Sequence, residues 1–513
     1  MKILVLEVLA KLISASIFSY LPSIGNPQIH LYILFMTPIT LSFRKLLAIS
    51  LLTVAGFSCQ QSVAPSPQPN VLIIHTDQWR AQAFGYAGDP NVVTPNIDRL
   101  AAESANLQNA VSGMPVCTPH RASLMTGQRP LSNGVFMNDV QLDPNAVCLA
   151  ESFPGYATGY IGKWHLDGSG RSAYIPPERR QGFAYWKALE CTHSYNQSAY
   201  YANDDTVKQF WDSYDTFSQV EDAQQYMKER AVDGQPFLLM LSLGTPHAPY
   251  HTAPQDYRDR YDSASIKLRP NVPEEMQGRA RRDLAGYYAH CTAIDDQVGL
   301  LRKTLEENGL DANTVILFTA DHGDLLGSHA AYKKQQPYDE SIRVPMLIWH
   351  ADPGHIRPGV YDALINSEDI MPTLLGLCEL PVPSSVEGID YSAYLQGKNQ
   401  QIDTATLITC VQPFGQWSRP NHGGREYRGI RSVRYTYTRD LKGPWQLFDN
   451  QTDPYQLLNQ VSNPEYVEIK QRLELLLSEK LSETKDEFLP GLSYVEQYKY
   501  PTLNDRETVP YTW

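Results

Sequence analysis

Residues 115–127 combine a thiol and a guanidinium group at a spacing that suits attack on an anionic ester. Pro119 fits the first turn of a short helix and Gly127 fits its C-terminal cap, so Cys117 is expected just ahead of the helix N-terminus. Unpaired N–H groups there favour a developing anion, and Arg121 would lie on the same face. A nucleophile beside a fixed positive charge is typical of ester-cleaving sites. A buried structural cysteine before an ordinary helix is the alternative interpretation.

Two further pairs of polar residues follow or end extended segments. The apolar run 71–74 predicts a buried strand that delivers Asp77 and Gln78 to its carboxyl end, where open α/β sheets bind ligands. Both residues offer the hard oxygen atoms that divalent cations prefer, although strand-end aspartates also cap helices. Lys163 and His165 stand two apart in an extended segment, so their side chains would face one side. A plain surface strand would show the same spacing.

Longer strings around these residues resemble the signature of the type I sulfatases, a family of the alkaline phosphatase superfamily. They are Cys-x-Pro-x-Arg followed by Ala-Ser-Leu-Met-Thr-Gly from Cys117, Gly-Lys-Trp-His at 162–165, and a lysine followed seven residues later by Ser-x-Arg-Val-Pro at 341–345. In that family the motif cysteine is oxidised after translation to formylglycine (3-oxoalanine), whose hydrate is the nucleophile. The resemblance therefore implies that a formylglycine-generating maturase modifies Cys117.

The resemblance also implies roles for the other residues of the site. The residues implied to hold one Ca²⁺ per chain are Asp77, Gln78, Asp321, His322 and the modified Cys117. The family usually carries a second acid at the position of Gln78, and it accepts either Asn or His at position 322. The residues implied to bind and protonate the substrate are Arg121, Lys163 and Lys334 around the sulfate, His247 as general acid and His165 beside the nucleophile. An isolated strand-end histidine such as His247 is otherwise more often structural.

The composition is that of a folded enzyme and argues against a nucleic-acid binder. The 513 residues are 42% hydrophobic and 19% charged, which allows a large core and more than one subdomain. The net charge of −13 is opposite in sign to that of a general nucleic-acid-binding protein, whereas local cations can still attract an anionic substrate. The seven cysteines are scattered without a Cys-x-x-Cys pair, so neither a zinc site nor a disulfide scaffold is expected.

The expected elements favour an α/β fold. In the first part of the chain they are buried strands at 71–74, 236–243 and 314–319 and a long amphipathic helix at 281–308. After residue 397 they are antiparallel strands at 431–437 and 445–448 and a helix at about 464–482. With the resemblance, this implies an alkaline phosphatase-like large mixed β-sheet sandwiched by helices (residues 70–400) and a smaller C-terminal α+β subdomain (residues 401–513).

Residues 1–59 indicate export. Two basic residues precede the apolar run 46–57, and the Gly-Phe-Ser-Cys string that ends at Cys59 resembles the lipobox of a bacterial lipoprotein signal. Cleavage would leave Cys59 as the lipidated first residue, with residues 60–69 as a tether, and Met36 is an alternative start. The short run disfavours a transmembrane anchor. We expect a periplasmic or cell-envelope lipoprotein that meets the membrane only through its lipid anchor.

The segment 167–201 is rich in Arg, Tyr and Trp and is expected to cover the cleft as a loop-rich insertion. Guanidinium groups pair with carboxylates or sulfates, and aromatic rings pack on sugar faces. The favoured substrate is therefore a sulfated carbohydrate, a fragment of an acidic polysaccharide. The residues assigned to it are Arg171, Arg180, Trp186 and His193, with Arg179, Tyr195, Asn196, Tyr200 and Tyr201 as further candidates. Packing under a long loop is the alternative role for these side chains.

Two rival functions remain open at this point. Relatives with the same formylglycine hydrolyse phosphonate monoesters or phosphodiesters. The relative rates on sulfate and phosphonate esters would therefore distinguish a sulfatase from such a hydrolase. A non-catalytic glycan-binding lipoprotein is the second rival. The sequence argues against it, because every expected motif position carries a chemically competent residue.

Overall fold

The structure is a computed structural model that describes residues 68–398 and 402–512. The expected targeting region 1–59, including Cys59, and the tether up to residue 67 lie outside the described residues. All six cysteines of the described part are free thiols with buried side chains. None of the helices within these two ranges is long and apolar enough to span a membrane.

Within the described residues, a large mixed sheet of ten strands forms the centre of the fold. Its strands are β1 (Asn70–Asp77), β2 (Ala105–Leu107), β3 (Ala157–Lys163), β4 (Tyr185–Leu189), β5 (Ala199–Ala202), β6 (Gln209–Phe210), β7 (Phe237–Pro246), β8 (Thr314–Ala320), β9 (Met346–Trp349) and β10 (Gly359–Tyr361). Their order across the sheet is β10-β2-β9-β8-β1-β7-β3-β4-β5-β6. The central strands β8, β1, β7, β3 and β4 are parallel, whereas β9 is antiparallel to β8.

The central strands are long because the apolar runs continue into paired polar residues. All eight residues of β1 are buried, and the predicted run 71–74 pairs with both β7 and β8. The ladder with β8 extends through His75 and Thr76, so the strand reaches Asp77. Strands buried on both faces read as continuous hydrophobic runs, which is why the sequence predicted them. The carboxyl ends of β1, β7 and β8 consequently meet at one edge of the sheet.

Nine helices of the described residues precede the C-terminal part. They are α1 (Pro95–Glu103), α2 (Cys117–Thr126), α3 (Pro130–Asn133), α4 (Asp215–Asp233), α5 (Gln255–Arg258), α6 (Glu274–Glu307), α7 (Asp339–Ile342), α8 (Ile370–Leu377) and α9 (Ser392–Leu395). The long helix α6 starts seven residues before the predicted 281. Pro273 precedes it, and Glu274 and Glu275 in its first turn complement the helix dipole. Helices α4 and α6 both pack on β7.

A second sheet of four antiparallel strands lies in the C-terminal part that the structure describes. The elements are β11 (Ala405–Cys410), α10 (Arg419–His422), β12 (Tyr427–Ser432), β13 (Tyr435–Asp440), β14 (Gly443–Asp449), α11 (Val467–Glu483) and α12 (Gly491–Gln497). Leu473 and Leu477 of α11 pack on this sheet, so the predicted helix is confirmed. The predicted boundary at residue 400 falls in the undescribed residues 399–401 and stays a prediction.

The single strand predicted at 431–437 is wrong. The chain instead forms two strands, β12 and β13, that pair with each other across a two-residue loop. Ser432 closes the turn, because its hydroxyl accepts a hydrogen bond from the N–H of Tyr435. Because the loop has only two residues, the alternating pattern of the sequence continues across it without a visible break. The alternation alone therefore did not reveal the hairpin.

Candidate active site

Cys117 is the first residue of helix α2. Val116 precedes it in an extended conformation, and Gly127 ends the helix in the left-handed region, at φ 63°, as predicted. The expectation that Cys117 lies just ahead of the helix is therefore off by one residue, but the thiol is still at the positive end of the helix dipole. All ten residues of α2 are buried, so the helix is held on every side.

The thiol of Cys117 is surrounded by charged side chains. Its Sγ lies 3.3 Å from Nε2 of His322, and the Lys334 ammonium donates a hydrogen bond to it at 3.0 Å. Burial and the Asp77 carboxylate raise the pKa of the Cys117 thiol, but the ammonium groups of Lys163 and Lys334 outweigh them and bring it well below its ordinary value. The position therefore stabilises negative charge.

A cluster of buried acidic and imidazole ligands lies beside this thiol. Asp77, Cys117, Asp321 and His322 each offer a ligand atom, and these atoms all lie within 4.8 Å of one another. Nδ1 of His322 donates to its neighbouring carbonyl, that of Gly323, at 2.8 Å, which leaves Nε2 3.4 Å from Oδ1 of Asp321. The cluster forms because β1 and β8 are neighbours and end at the same edge of the sheet.

Gln78 lies next to the cluster with its amide orientation fixed. Its main chain has φ 68°, and its N–H donates to Oδ1 of Asp321 at 2.9 Å. The amide Nε2 donates to Asp324 at 2.6 Å, and Tyr250 donates to the same carboxylate oxygen. Oε1 is therefore turned the other way, toward the Lys334 ammonium at 3.3 Å.

Two buried cations balance the two carboxylates. The ammonium group of Lys163 forms an ion pair with Asp77, and the guanidinium of Arg121 lies 3.1 Å from Asp321 and 3.5 Å from Asp77. Arg121 also donates to the Ser242 hydroxyl at 2.6 Å and to the Lys163 carbonyl at 3.0 Å. Burial raises the pKa of Asp77, but Lys163 and other neighbouring cations hold it well below its usual range. Burial and Asp77 also raise the pKa of Asp321, but His322 and Arg121 outweigh them and lower it, so both acids are ionised and can bind a cation.

A cavity of about 620 Å³ opens above Cys117 and gives a substrate access to these groups. Lys163, His165 and Lys334 line it together with His247. The Lys163–His165 pair is not in one strand, because β3 ends at Lys163 and His165 has φ 59°, yet both side chains line the same cavity. Burial lowers the pKa of His165, whereas the sulfur of Cys191 and the hydrogen bond that His165 donates to the Asp139 carboxylate raise it to about 9.

His247 follows β7 and reaches the cavity as predicted. Its Nδ1 donates to the Ala248 carbonyl at 2.7 Å, so Nε2 is the nitrogen left for a substrate. The His193 ring stacks on it with 4.7 Å between centroids. Burial and the nearby Lys334 lower the pKa of His247 well below its ordinary value.

Comparison with known proteins identifies this arrangement. The family described as Sulfatase matches residues 69–380, a range that contains every residue of the cluster. The chain belongs to the sulfatase family. A second family, described as N-sulphoglucosamine sulphohydrolase, C-terminal, matches residues 327–485. The protein is thus a sulfuric ester hydrolase, as its sequence motifs implied.

Individual sulfatases are similar over most of their length. An ulvan-active sulfatase of Formosa agariphila is 45% identical, covering 88% of this chain and 90% of the relative. An endo-4-O-sulfatase of Bacteroides thetaiotaomicron is 30% identical, covering 90% of this chain and 99% of the relative. A solved structure described under the metabolism of multiple glycosaminoglycans by Bacteroides thetaiotaomicron has a TM-score of 0.74 at 29% identity, covering 86% and 100% of the two chains. The predicted alkaline phosphatase-like α/β fold is confirmed.

Two of the four residues assigned to the substrate of this sulfatase do not reach the cavity. Trp186 is fully buried in the core, where it stacks on Tyr160 at 5.3 Å, so its predicted sugar contact is wrong. Arg180 is also buried; it donates to the Ile175 carbonyl at 3.0 Å and to the Tyr174 hydroxyl at 3.0 Å. Its predicted substrate contact is wrong for the same reason, since the loop folds these side chains inward.

The other two assigned residues, Arg171 and His193, line the cavity, but Arg171 is paired with another side chain of the protein. Arg171 makes two hydrogen bonds of 2.8 Å to the Asp139 carboxylate, which also lies 3.3 Å from His165. Its guanidinium therefore positions Asp139 and His165 rather than facing a substrate alone. His193 lines the cavity beside His247 and keeps its predicted role as a candidate contact.

The further candidates in the same segment stabilise the loop. Arg179 forms an ion pair with Asp167, Tyr195 donates to the Gly244 carbonyl at 2.9 Å, and Asn196 donates to the Thr252 carbonyl at 3.0 Å. Tyr200 stacks on Trp211, and Tyr201 donates to the Ser172 carbonyl. The alternative interpretation, packing under a long loop, describes these five residues.

The sequence analysis missed the part of the cavity wall that comes from the C-terminal region. Phe414 and Gln416 after β11 line the cavity, and so do five residues of the segment 504–511, namely Asn504, Arg506, Thr508, Pro510 and Tyr511. Asp139 was missed as well. No motif or spacing marked these positions. The C-terminal residues reach the site only through the packing of the small sheet and the chain that follows it, whereas Asp139 belongs to it through its contacts with His165 and Arg171.

Proposed function

We propose that this sulfatase removes sulfate esters from a sulfated carbohydrate, a fragment of an acidic polysaccharide, with a formylglycine made from Cys117 by a maturase. The observation that carries the proposal is the position of Cys117, at the start of a buried helix, under an open cavity and within reach of Lys334 and the acidic cluster. The 45% identical relative is named an ulvan-active sulfatase, which supports a polysaccharide substrate for this chain.

The donor set fits a divalent cation, and we assign Ca²⁺ to it. Two ionised carboxylates, of Asp77 and Asp321, stand beside an imidazole, and Gln78 turns its amide oxygen away from the acceptor Asp324. Hard oxygen ligands suit Ca²⁺, and His322 would be its softer ligand. When bound, the ion would supply Lewis-acid polarisation of the sulfate group.

The Cys117 side chain occupies the position of the formylglycine, which would supply a hydrate oxygen as nucleophile. Lys334 and Lys163 neutralise negative charge next to this position, and Arg121 holds the two carboxylates from behind. Nδ1 of His247 is held by the Ala248 carbonyl, so Nε2 is the nitrogen that can donate a proton to the departing alcohol once the ring is protonated. Burial and the charge of Lys334 lower the pKa of His247 in the free protein, and an anionic sulfate in the cavity would offset the effect of Lys334 and favour the protonated ring.

The orientation of Gln78 predicts a role for Asp324 in metal binding. In Asp324→Asn, an amide NH₂ placed against Nε2 of Gln78 would repel it and turn the Gln78 oxygen away from the metal ligands. We expect calcium affinity to fall about tenfold, measured by titration calorimetry. Tyr250→Phe is the comparison variant, because it removes a donor to the same carboxylate and a 3.4 Å acceptor of the Gln78 amide but leaves Asp324 to accept from Gln78. Equal calcium affinity of Asp324→Asn and the parent protein would contradict this role.

The substrate class can be tested with a panel of esters. Sulfated mono- and oligosaccharides are compared with aryl sulfate, choline sulfate and an aryl phosphonate ester, and Cys117→Ala supplies the background rate. We expect the highest kcat/KM on a sulfated saccharide, and a loss of saccharide turnover in His193→Ala. If kcat/KM is highest for choline sulfate or aryl sulfate, the proposed carbohydrate substrate is wrong. If it is highest for the phosphonate ester, the protein is the rival phosphonate hydrolase.

We also propose that the protein is exported as a lipoprotein anchored through Cys59. The lipobox-like string before Cys59 supports this, and the residues concerned lie outside the described part of the chain. We expect the parent protein to be labelled by a radioactive fatty acid and Cys59→Ser to lose the label. Equal labelling of the two proteins would contradict the anchor.

A further inference from the structure

The C-terminal segment 504–511 forms a wall of the cavity, although it lies far from the catalytic motifs in the sequence. Val509 is buried in a hydrophobic cluster with Phe414, so the segment is fixed to the folded body. Asn504 and Arg506 precede this anchor and face the cavity in which Cys117 lies. A substrate that enters the cavity therefore passes this wall.

Arg506 lies in a closed turn of this segment. The main-chain N–H of Asn504 donates to the Thr508 carbonyl at 3.1 Å, and the Asn504 side-chain oxygen accepts the N–H groups of Arg506 at 2.9 Å and Thr508 at 3.2 Å. The Arg506 carbonyl accepts a hydrogen bond from the N–H of Gly415 at 2.8 Å. The main chain is thus held on both sides of Arg506, so only the rotamers of its side chain have to be ordered when the guanidinium binds a ligand.

The charge of Arg506 is not used within the described part of the protein. The other arginine of the cavity, Arg171, is neutralised by Asp139 through two hydrogen bonds of 2.8 Å. The residue next to Arg506, Glu507, pairs with Arg419 at 2.7 Å. Among the described residues, no carboxylate forms an ion pair with Arg506, and its side chain is exposed at the cavity.

We propose that Arg506, on the C-terminal wall of the cavity, binds a second anionic group of the substrate beside the sulfate that is hydrolysed. The group is a carboxylate or a further sulfate, both of which match the paired N–H donors of a guanidinium. Lys163 and Lys334 stand at Cys117 and serve the reacting sulfate. Among the other described cations that line the cavity, Arg171 is paired with Asp139 and Lys333 is an ammonium next to Lys334 in the chain, so Arg506 supplies the guanidinium for another group. The proposal rests on the carbohydrate substrate proposed above.

Two pairs of substrates test this inference. The first pair is a sulfated disaccharide that contains a uronic acid and the same compound with its carboxyl group reduced to an alcohol. The second pair is a disulfated disaccharide without a carboxylate and its monosulfated form. For each pair the ratio of kcat/KM with and without the second anion is measured in the parent protein, Arg506→Gln and Arg506→Lys. Arg472→Gln is the matched control, because Arg472 is an exposed residue of α11 that does not line the cavity.

We expect the ratio of at least one pair to fall about five- to tenfold in Arg506→Gln, mainly through KM, and less in Arg506→Lys. The pair that responds tells whether a carboxylate or a sulfate is bound. An equal ratio in the parent protein and Arg506→Gln for both pairs would overturn the inference while leaving the carbohydrate proposal intact. The same fall in Arg472→Gln would also overturn it, since net charge would then explain the effect. Turnover of aryl sulfate without turnover of any of the four disaccharides would overturn both proposals.

Discussion

Cys117→Ala is expected to lose more than about a thousandfold in kcat on every sulfate ester, while the protein keeps its fold. A methyl group offers no sulfur for conversion to an aldehyde and therefore no hydrate oxygen for attack. Cys117 is at the end of a helix beside a cavity, so the truncation leaves space that water can fill. We expect the free energy of unfolding to change by less than about 2 kcal/mol, measured by urea denaturation.

The control is Cys148→Ala, which removes a buried thiol from the core. It should retain the activity of the parent protein, since Cys148 contacts neither the cavity nor the acidic cluster. Activity of Cys117→Ala within about tenfold of the parent would show that residue 117 does not supply the nucleophile. That result would exclude the formylglycine mechanism.

Removal of divalent cations is expected to abolish activity, and calcium is expected to restore it. Without the metal ion, Asp77 and Asp321 keep nearby cations such as Lys163 and Arg121 as counter-charges, but the sulfate loses its Lewis acid. Because the ion binds only the folded chain, calcium at about a hundred times its Kd should add about 2.7 kcal/mol to the free energy of unfolding. Thermal unfolding of the chelated protein with and without added calcium measures this effect separately from turnover.

Asp321→Asn tests whether this response comes from the acidic cluster. The substitution keeps the shape of the side chain and removes one ligand charge, so calcium should no longer raise the melting temperature. Asp283→Asn, at a partly exposed position of α6, should respond to calcium as the parent protein does. Full activity of metal-free protein, or an unchanged calcium response in Asp321→Asn, would contradict the metal site.

The sequence predicted those parts of the site that lie at the ends of buried strands. Strands β1 and β8 are apolar throughout because both faces are covered, and the polar residues that follow them had to meet at one sheet edge. Gly127 marked the end of α2 because a left-handed residue favours glycine. The roles of Cys117 and Lys334 came from the resemblance to sulfatases, and the structure brings their side chains together.

Side chains on the long loop could not be assigned from their types. Trp186 and Arg180 have the chemistry of sugar contacts, but the same residues pack equally well in a core, and only the path of the loop decides. Long-range contacts were also hidden. The side chain of Thr94, the residue before α1, does not cap the helix; Asp295 of α6 instead accepts the N–H of Ile97 at 2.7 Å from across the fold. Arg506 is held at the cavity by a similarly long-range contact, the hydrogen bond from the N–H of Gly415 to its carbonyl, which no local sequence pattern reveals.

The mass of the peptide that contains residue 117 tests the central claim most directly. The protein is produced in a host that carries a formylglycine-generating maturase, digested, and treated with a hydrazide that labels aldehydes. We predict loss of the thiol sulfur at residue 117, a hydrazone on that peptide, and sulfatase activity in proportion to the labelled fraction. Fully active protein whose residue 117 is an unmodified cysteine would contradict the account.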